Sequence, residues 1–347
     1  MATFTPMSDD FVQVVVTGTE EPFVLGPLTC RPKQRTRGLV PVARGSSGQE
    51  LGIPVVVVHS GKPGPVLCVG AGIHGDEYDS MHAVRQVLDE LDDAELTGIL
   101  VAMPCINTAA FDAASRTSGI DHANLNRIFP GDATGSYSFR LAATFVEEVV
   151  PRIDAFVDLH TGGTFGEITP LAIVQQGFDE LATGLGLSIG HEIIWRGGAW
   201  GGTARAVTLA AGKPAVTVEA GGGTCRDEIV DLHRRTIFNV LRALRMLPGT
   251  ATRRERYTAV LGSFARSANG GFFVPESKPG DHVRAGDLIA RIVDHLGSDV
   301  EEVVAPNDGV VLWQRRLRTI RPGEETVIFG TVDGEIGPLA KSCGLGR

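Results

Sequence analysis

The middle of the chain alternates between short apolar runs and longer stretches in which apolar residues recur at helical spacing. Strands are predicted at the apolar runs 65–70, 98–103, 155–159, 171–175, 192–195 and 215–219. Helices are predicted between and around them, at residues 81–91, 139–150, 179–185, 203–211 and 227–247. Continuous apolar runs of four to six residues are typical of strands buried on both faces of a sheet. The alternation therefore predicts an α/β fold in which a mixed, mostly parallel sheet carries helices on both faces.

The two ends of the chain lack this alternation. Residues 1–60 contain short β-type runs separated by Gly and Pro, which predict a β-rich lead-in to the main sheet. Pro248-Gly249, followed by the charged run 253–256, predicts a boundary between a large domain over 1–250 and a small all-β domain over 251–347.

Within the small domain, two stretches resemble the halves of a biotinyl/lipoyl-type β-sandwich. They lie at residues 279–288 and 305–311. A carrier protein of that type needs a lysine on the hairpin between the halves, and residues 294–299 contain none. We therefore expect a structural or lid-forming domain.

Charge and cysteine content narrow the partners and the compartment. The 347 residues carry a formal charge of −9, which argues against nucleic acid or an anionic membrane surface as a partner. The five cysteines are odd in number and show no Cys-x-x-Cys spacing, as expected in a reducing compartment. No run approaches the length of a membrane span, and the N-terminus lacks the pattern of a leader peptide. These features predict a soluble, cytoplasmic protein, and they are compatible with a homo-oligomer.

Candidate metal ligands follow two of the predicted strands. His74 and Glu77 come after the strand at 65–70, and His160 ends the strand at 155–159. In a parallel sheet these positions share the carboxyl edge, where ligands bind. Two histidines and one glutamate, with a fourth position open to water, are typical of a catalytic zinc site. Asp158, on the same face of its strand as His160, is expected to orient a ligand imidazole.

Other polar residues near this edge supply a base and positive charge. Glu219 ends the apolar strand at 215–219, where a carboxylate is costly unless it has a role, and a general base is the role we predict. The long polar segment 105–136 contains Arg116, Asn126 and Arg127. Arginine binds carboxylates through a two-point fork, and an arginine near the metal also stabilises an oxyanion. Candidates for the pocket rim, chosen from a Gly-rich setting, are Trp195, Arg196, Trp200 and Arg205.

Taken together, five motifs in one order resemble the succinylglutamate desuccinylase/aspartoacylase family, a branch of the zinc carboxypeptidase-like hydrolases. These are His74–Glu77, Asn107 with Arg116, the stretch 124–131, Asp158–His160 and Thr217–Glu219. The resemblance spans roughly residues 50–245, and the small C-terminal β domain also fits the family's layout. Residues 116–121 and 124–131 look most like bacterial members related to N-acetyl-diaminobutyrate deacetylase.

The resemblance implies a role for each matched residue and a reaction. His74, Glu77 and His160 match the ligands of one zinc ion per chain, and Glu219 matches the general base. Arg116 matches the arginine near the metal, while Asn126 and Arg127 match the pair that holds the amino-acid part of the substrate. The implied activity is a zinc-dependent amidohydrolase that removes the acyl group from a small N-acyl amino acid.

Two other functions stay open, a metallocarboxypeptidase acting on peptides and a non-catalytic metal-binding or scaffold protein. Glu219 argues against the second, because a protein that only holds a metal needs no base. A serine hydrolase is disfavoured because no Gly-x-Ser-x-Gly elbow follows a predicted strand, and a nucleotide site is disfavoured because no P-loop spacing occurs.

Overall fold

The computed structural model describes residues 3–7, 10–15, 21–175, 180–197 and 200–336. Its strands are β1 Thr3–Met7, β2 Asp10–Val15, β3 Phe23–Leu25, β4 Leu28–Cys30, β5 Gln34–Arg44, β6 Glu50–His59, β7 Val66–Ala71, β8 Ile99–Met103, β9 Ala155–His160, β10 Gly166–Val174, β11 Ile193–Arg196, β12 Ala215–Gly221, β13 Tyr257–Arg266, β14 Gly271–Pro275, β15 His282–Val283, β16 Leu288–Val293, β17 Asp299–Val304, β18 Gly309–Arg315, β19 Thr319–Ile320 and β20 Glu325–Ile336. Its α-helices are α1 Tyr78–Glu90, α2 Thr108–Asp112, α3 Tyr137–Thr144, α4 Glu180–Ser188, α5 Ala204–Ala210 and α6 Asp227–Ala243.

Most predicted elements form within a few residues of their expected bounds. Helix α3 continues into a wider π-type turn at Phe145–Val149, which completes the helix predicted for 139–150. Strand β10 begins five residues earlier than predicted, and the short helix α2 was not predicted. The first residue of the helix predicted at 179–185 lies outside the described residues.

A single large sheet organises the molecule, and its strands follow the order β15-β18-β20-β13-β11-β10-β12-β9-β7-β8-β6-β5. Parallel pairing holds for β12-β9-β7-β8 in the centre and for β13-β11-β10 beside it. The remaining described pairings in this sheet are antiparallel. The expectation of a mostly parallel sheet is therefore correct only for these two groups, and the sheet as a whole is mixed.

Helices cover both faces of the central strands, and the period of two along each strand divides the core between them. In β9, Val157 and Leu159 pack into the cluster that includes Val84 of α1 and Val240 of α6. Phe156, which points the other way, packs into the cluster on the side of α3. This arrangement fixes the carboxyl ends of β7, β9 and β12 rigidly at one edge.

The C-terminal β region is joined to the central sheet rather than attached by a separate linker. Strand β13 pairs in parallel with β11, and β18 pairs with β10 through Gly166–Ile168. A second, four-stranded sheet, ordered β17-β16-β14-β19, packs on its own apolar cluster. Within the described residues the region thus consists of strands and turns, as predicted, and its inner strands form part of the cavity wall described below.

Within the residues that the structure describes, no helix is long and apolar enough to cross a membrane.

Candidate metal and active site

The predicted ligands His74, Glu77 and His160 come together at the carboxyl edge of the sheet. One ligand atom from each lies within 4.8 Å of the others, and all three residues are buried. The turn after β7 carries the first two, and Glu77 stands at the N-terminal cap of α1. Gly75 makes this turn possible, because a Cβ there would lie 2.0 Å from the carbonyl carbon of Ala110.

Short polar contacts with the Glu77 carboxylate hold the three side chains in place. His74 Nδ1 lies 2.7 Å from Glu77 Oε1, and His160 Nδ1 lies 2.9 Å from Glu77 Oε2. The backbone N–H of Thr161 also donates to Glu77 Oε2, over 3.0 Å. Burial alone would raise the pKa of Glu77, but the two histidines outweigh burial and hold that pKa well below its usual range.

The outer nitrogen of each histidine faces an oxygen. His74 Nε2 lies 3.1 Å from Asn124 Oδ1, and His160 Nε2 lies 3.0 Å from Asp158 Oδ2. The second contact has the distance of an ion pair, and the two groups are not aligned as a hydrogen bond. With a metal bound at Nδ1, each imidazole would carry its proton on Nε2, next to these oxygens. Asp158 therefore lies where an orienting carboxylate was expected.

The residues present fit a zinc ion. Two imidazole nitrogens and one carboxylate are the donor set of a catalytic zinc, and their mutual distances are short enough for one ion to reach all three. Burial and the Arg116 cation lower the pKa of His74 to about 4, so this imidazole is neutral and able to ligate a metal at neutral pH.

Glu219 lies next to this cluster, through the pairing of β12 with β9. The register places Glu219 directly opposite His160. The residue is partly exposed towards the cavity, and its carboxylate accepts no hydrogen bond from the described residues. Burial of the carboxylate raises its pKa to about 8. A carboxylate with a raised pKa and an open acceptor is suited to exchanging protons with a substrate or water.

The two predicted arginines, Arg116 and Arg127, line the same cavity and contact different groups there. Arg116 Nη1 lies 3.1 Å from both His74 Nδ1 and Glu77 Oε1, so its guanidinium reaches the cluster. Arg127 lines the cavity and donates from Nη1 to the backbone oxygen of Asn126 over 2.7 Å. Burial and then the nearby Arg116 charge lower the pKa of Arg127.

Asn126 also lines the cavity, and part of its side chain is engaged in the structure. Its Oδ1 accepts from the backbone N–H of Ala204 over 3.0 Å, and its Nδ2 lies 3.4 Å from His160 Nε2. The oxygen thus anchors the start of α5, which leaves the amide nitrogen as the group nearer the ligand cluster. The sequence motif alone did not reveal this anchoring role.

A cavity of about 420 Å³ joins these groups, a volume typical of small-molecule sites. Three of the four rim candidates line it, namely Trp195, Trp200 and Arg205. The choice of Arg196 was wrong, because its guanidinium points away and pairs with Asp333 over 3.0 Å. Several lining residues were not predicted from the sequence, most of them from the C-terminal unit: Phe165, Phe264, Trp313, Arg315, Gly323, Glu324, Glu325 and Ile328.

A buried His-Glu-His cluster with a carboxylate beside it, at the ends of parallel strands, could hold a metal ion and is compatible with a hydrolase. The family model of the succinylglutamate desuccinylase/aspartoacylase catalytic domain matches residues 63–244. The chain therefore belongs to this family, which comprises hydrolases of N-acyl amino acids, and the resemblance carried by the five motifs is confirmed.

Relatives of known structure or activity extend the match beyond the catalytic domain. The N-alpha-acetyl-L-2,4-diaminobutyric acid deacetylase of Halomonas elongata is 30% identical over 303 residues, which cover 82% of this chain and 87% of that protein. A succinylglutamate desuccinylase/aspartoacylase from Rhodobacter sphaeroides superposes with a TM-score of 0.79 at 26% identity, covering 86% of this chain and 96% of the other. The product-bound ectoine utilization protein EutE (DoeB) of Ruegeria pomeroyi has the same fold, with a TM-score of 0.80, 24% identity and coverage of 95% and 99%.

Proposed function

We propose that this protein is a zinc-dependent deacylase that hydrolyses the amide of a small N-acyl amino acid. The observation that carries the proposal is the strand register that sets Glu219 opposite His160, beside the buried ligand cluster. The relationship to a deacetylase of 30% identity supports the reaction class. That the site binds a metal, and that this metal is zinc, are both parts of this proposal.

In the proposed site, His74, Glu77 and His160 hold the zinc ion. When bound, zinc supplies Lewis acidity that polarises an amide carbonyl and lowers the pKa of water. Glu219 takes a proton from the attacking water and returns it to the leaving amine, so the bond to the amine nitrogen breaks as that nitrogen is protonated.

Two cationic side chains complete the proposed mechanism. Arg116 lies 3.1 Å from the ligand atoms, where its N–H donors stabilise the oxygen anion that develops on the former carbonyl. Arg127, together with the Asn126 amide nitrogen, binds the free carboxylate of the amino acid. The Asp158 carboxylate and Asn124 amide oxygen keep the two imidazoles oriented.

Hydrolysis of a substrate panel by the zinc-loaded protein tests this function. The panel contains N-acetyl, N-succinyl and N-formyl amino acids, with dipeptides of varied side chain as controls. We expect turnover of at least one acyl class and little or none of the dipeptides. Hydrolysis of dipeptides alone would indicate a carboxypeptidase, and a fully inactive zinc-loaded protein would refute both enzymatic functions.

A further inference from the structure

One corner of the cavity is built from three aromatic side chains, Trp195, Trp200 and Phe264, which we call the aromatic corner. The Trp195 and Trp200 ring centroids are 5.1 Å apart, and the rings are nearly perpendicular. The Phe264 ring lies 6.2 Å from Trp195 and 5.8 Å from Trp200. Edge-to-face arrangements of this kind are favourable and fix the orientation of each ring.

The aromatic corner combines a buried tryptophan with a phenylalanine that is exposed to the cavity. Trp195 is 3% exposed and lies against Gly262, where a Cβ would come within 2.1 Å of the indole. Phe264, by contrast, is 41% exposed although it lines the cavity. The indole of Trp195 and the exposed Phe264 ring form an apolar surface. Covering this surface with an apolar group is favourable, because apolar area is then removed from water.

The aromatic corner adjoins the segment assigned to the amino-acid part of the substrate. The backbone N–H of Phe129 donates to Gly202 O over 3.2 Å, two residues after Trp200. Gly202 also packs so closely on the backbone of Arg127 that a Cβ would lie 2.3 Å from the Arg127 oxygen. The chain just after Trp200 is therefore fixed against the Asn126-Arg127 segment, which the proposed function places on the amino-acid side of the scissile amide.

Two carboxylates of the neighbouring wall already have arginine partners. Glu325 pairs with Arg266 over 3.1 Å, and Glu324 pairs with Arg315 over 2.8 Å. A primary ammonium placed in the corner would lose strongly bound water, and both of these carboxylates already have arginine partners. An apolar side chain has no such cost.

We propose that the aromatic corner is the subsite for the substrate's side chain and that it takes an uncharged, apolar side chain of leucine or phenylalanine type. The inference rests on the proposed function for the placement of the substrate. It assigns this chain a different side-chain class from the charged diaminobutyrate named for its Halomonas elongata relative.

Intrinsic fluorescence gives a direct binding test, because all three tryptophans of the chain line this cavity. The zinc-loaded protein is titrated with free L-leucine, L-alanine and L-2,4-diaminobutyrate, which are not turned over. We expect leucine to bind at least about tenfold more tightly than the other two, as several buried methylenes imply. Equal or tighter binding of diaminobutyrate would overturn the proposal.

Variants show whether the aromatic corner causes the preference. In Phe264→Ala, the ratio of leucine to alanine affinity should fall to within about threefold. Phe272→Ala removes a phenylalanine of similar exposure from the same C-terminal unit, outside the cavity, and should keep the wild-type ratio. If Phe264→Ala does not fold, Trp200→Ala provides the same test. An unchanged ratio in a folded variant would overturn the proposal.

Parallel turnover assays separate this inference from the proposed function. The substrates are N-acetyl-L-leucine, N-acetyl-L-alanine and N-acetyl-L-2,4-diaminobutyrate. If neither these substrates nor any N-succinyl or N-formyl amino acid of the panel is hydrolysed while the leucine preference depends on Phe264, the subsite stands and the deacylase function falls. If the diaminobutyrate derivative is hydrolysed with the highest kcat/KM, the deacylase function stands and the subsite assignment falls.

Discussion

The two sides of the cavity are built by different means. The ligand side is charged, and its histidines and glutamate follow the carboxyl ends of two adjacent parallel strands, β7 and β9. The aromatic side is apolar, and its rings come from the end of β11, from the following loop and from β13 of the C-terminal unit. The first side depends on local spacing within a sheet edge, whereas the second depends on which distant strands become neighbours.

This difference suggests a division of labour. In the proposed function, residues at the ligand side face the amide, which every N-acyl amino acid shares, and they lie at the buried centre of the sheet. Residues at the aromatic side would face the variable part of the substrate, and they belong to a loop and an outer strand where substitution disturbs less of the core. Specificity can then vary while the chemistry stays constant.

The largest expected effect is on the ligand side, from removal of the base. Glu219→Gln keeps the shape of the side chain and removes its ability to accept a proton, so we expect kcat to fall by about 10³-fold. Zinc content should be unchanged, and thermal stability should be equal or higher, because a neutral amide replaces a group whose ionised form is disfavoured by burial. Steady-state kinetics with elemental analysis check this. Near-normal turnover would remove Glu219 from the mechanism.

Removal of one metal ligand should abolish metal binding and leave the aromatic corner largely unchanged. His160→Ala removes one of three donor groups, so zinc should drop well below one ion per chain by elemental analysis, with activity lost in parallel. Leucine binding at the aromatic corner should weaken much less. His82→Ala, which removes an exposed histidine of α1, serves as the control. Unchanged zinc in His160→Ala would refute the ligand assignment.

The sequence was sufficient to predict the ligand side because that information is local. A buried apolar run marks a strand, and a polar residue directly after it must lie at the sheet's edge, so His74, His160 and Glu219 could be placed from their positions alone. What the sequence could not provide was the anchoring of Asn126, whose oxygen bonds the N–H of Ala204 at the start of a helix 78 residues later.

The aromatic side was only partly predictable, for the same physical reason. Trp195 and Trp200 were chosen from their Gly-rich setting, but Phe264 was missed because the pairing of β13 with β11 joins residues about 65 positions apart. The error at Arg196 was avoidable. Adjacent residues of a strand point to opposite faces, so Trp195 and Arg196 were not both able to line one cavity.

A smaller effect is expected from a change that disturbs only the aromatic side. In Gly262→Ala the new Cβ would lie 2.1 Å from the Trp195 indole, so the ring must shift. Overpacking of this kind should lower the free energy of unfolding by about 1–3 kcal/mol and weaken leucine binding, with zinc content unchanged. Gly201→Ala, where the added Cβ meets open space, is the control. Urea denaturation and fluorescence titration measure both effects, and loss of zinc would show that the two sides are not independent.

The smallest expected effect concerns the long loop that links the two sides. Asp121 accepts hydrogen bonds from the Ser136 hydroxyl and from the backbone and hydroxyl of Ser138, over 2.6 to 2.8 Å. Burial alone would raise the pKa of Asp121, but these bonds outweigh it and lower that pKa to about 2. Since the group is partly solvated, Asp121→Asn should cost about 1 kcal/mol of unfolding free energy at pH 7.

The pH dependence of that cost identifies its origin. Because the folded pKa is depressed, the stabilisation by Asp121 is present above the unfolded value of about 4 and is lost as the pH falls towards 2. The stability difference between the wild type and Asp121→Asn should therefore narrow from pH 5 to pH 3 in urea denaturation. Asp112→Asn, which changes an exposed carboxylate at the end of α2, is the control substitution. A difference that stays constant with pH would mean that the carboxylate charge does not anchor the loop.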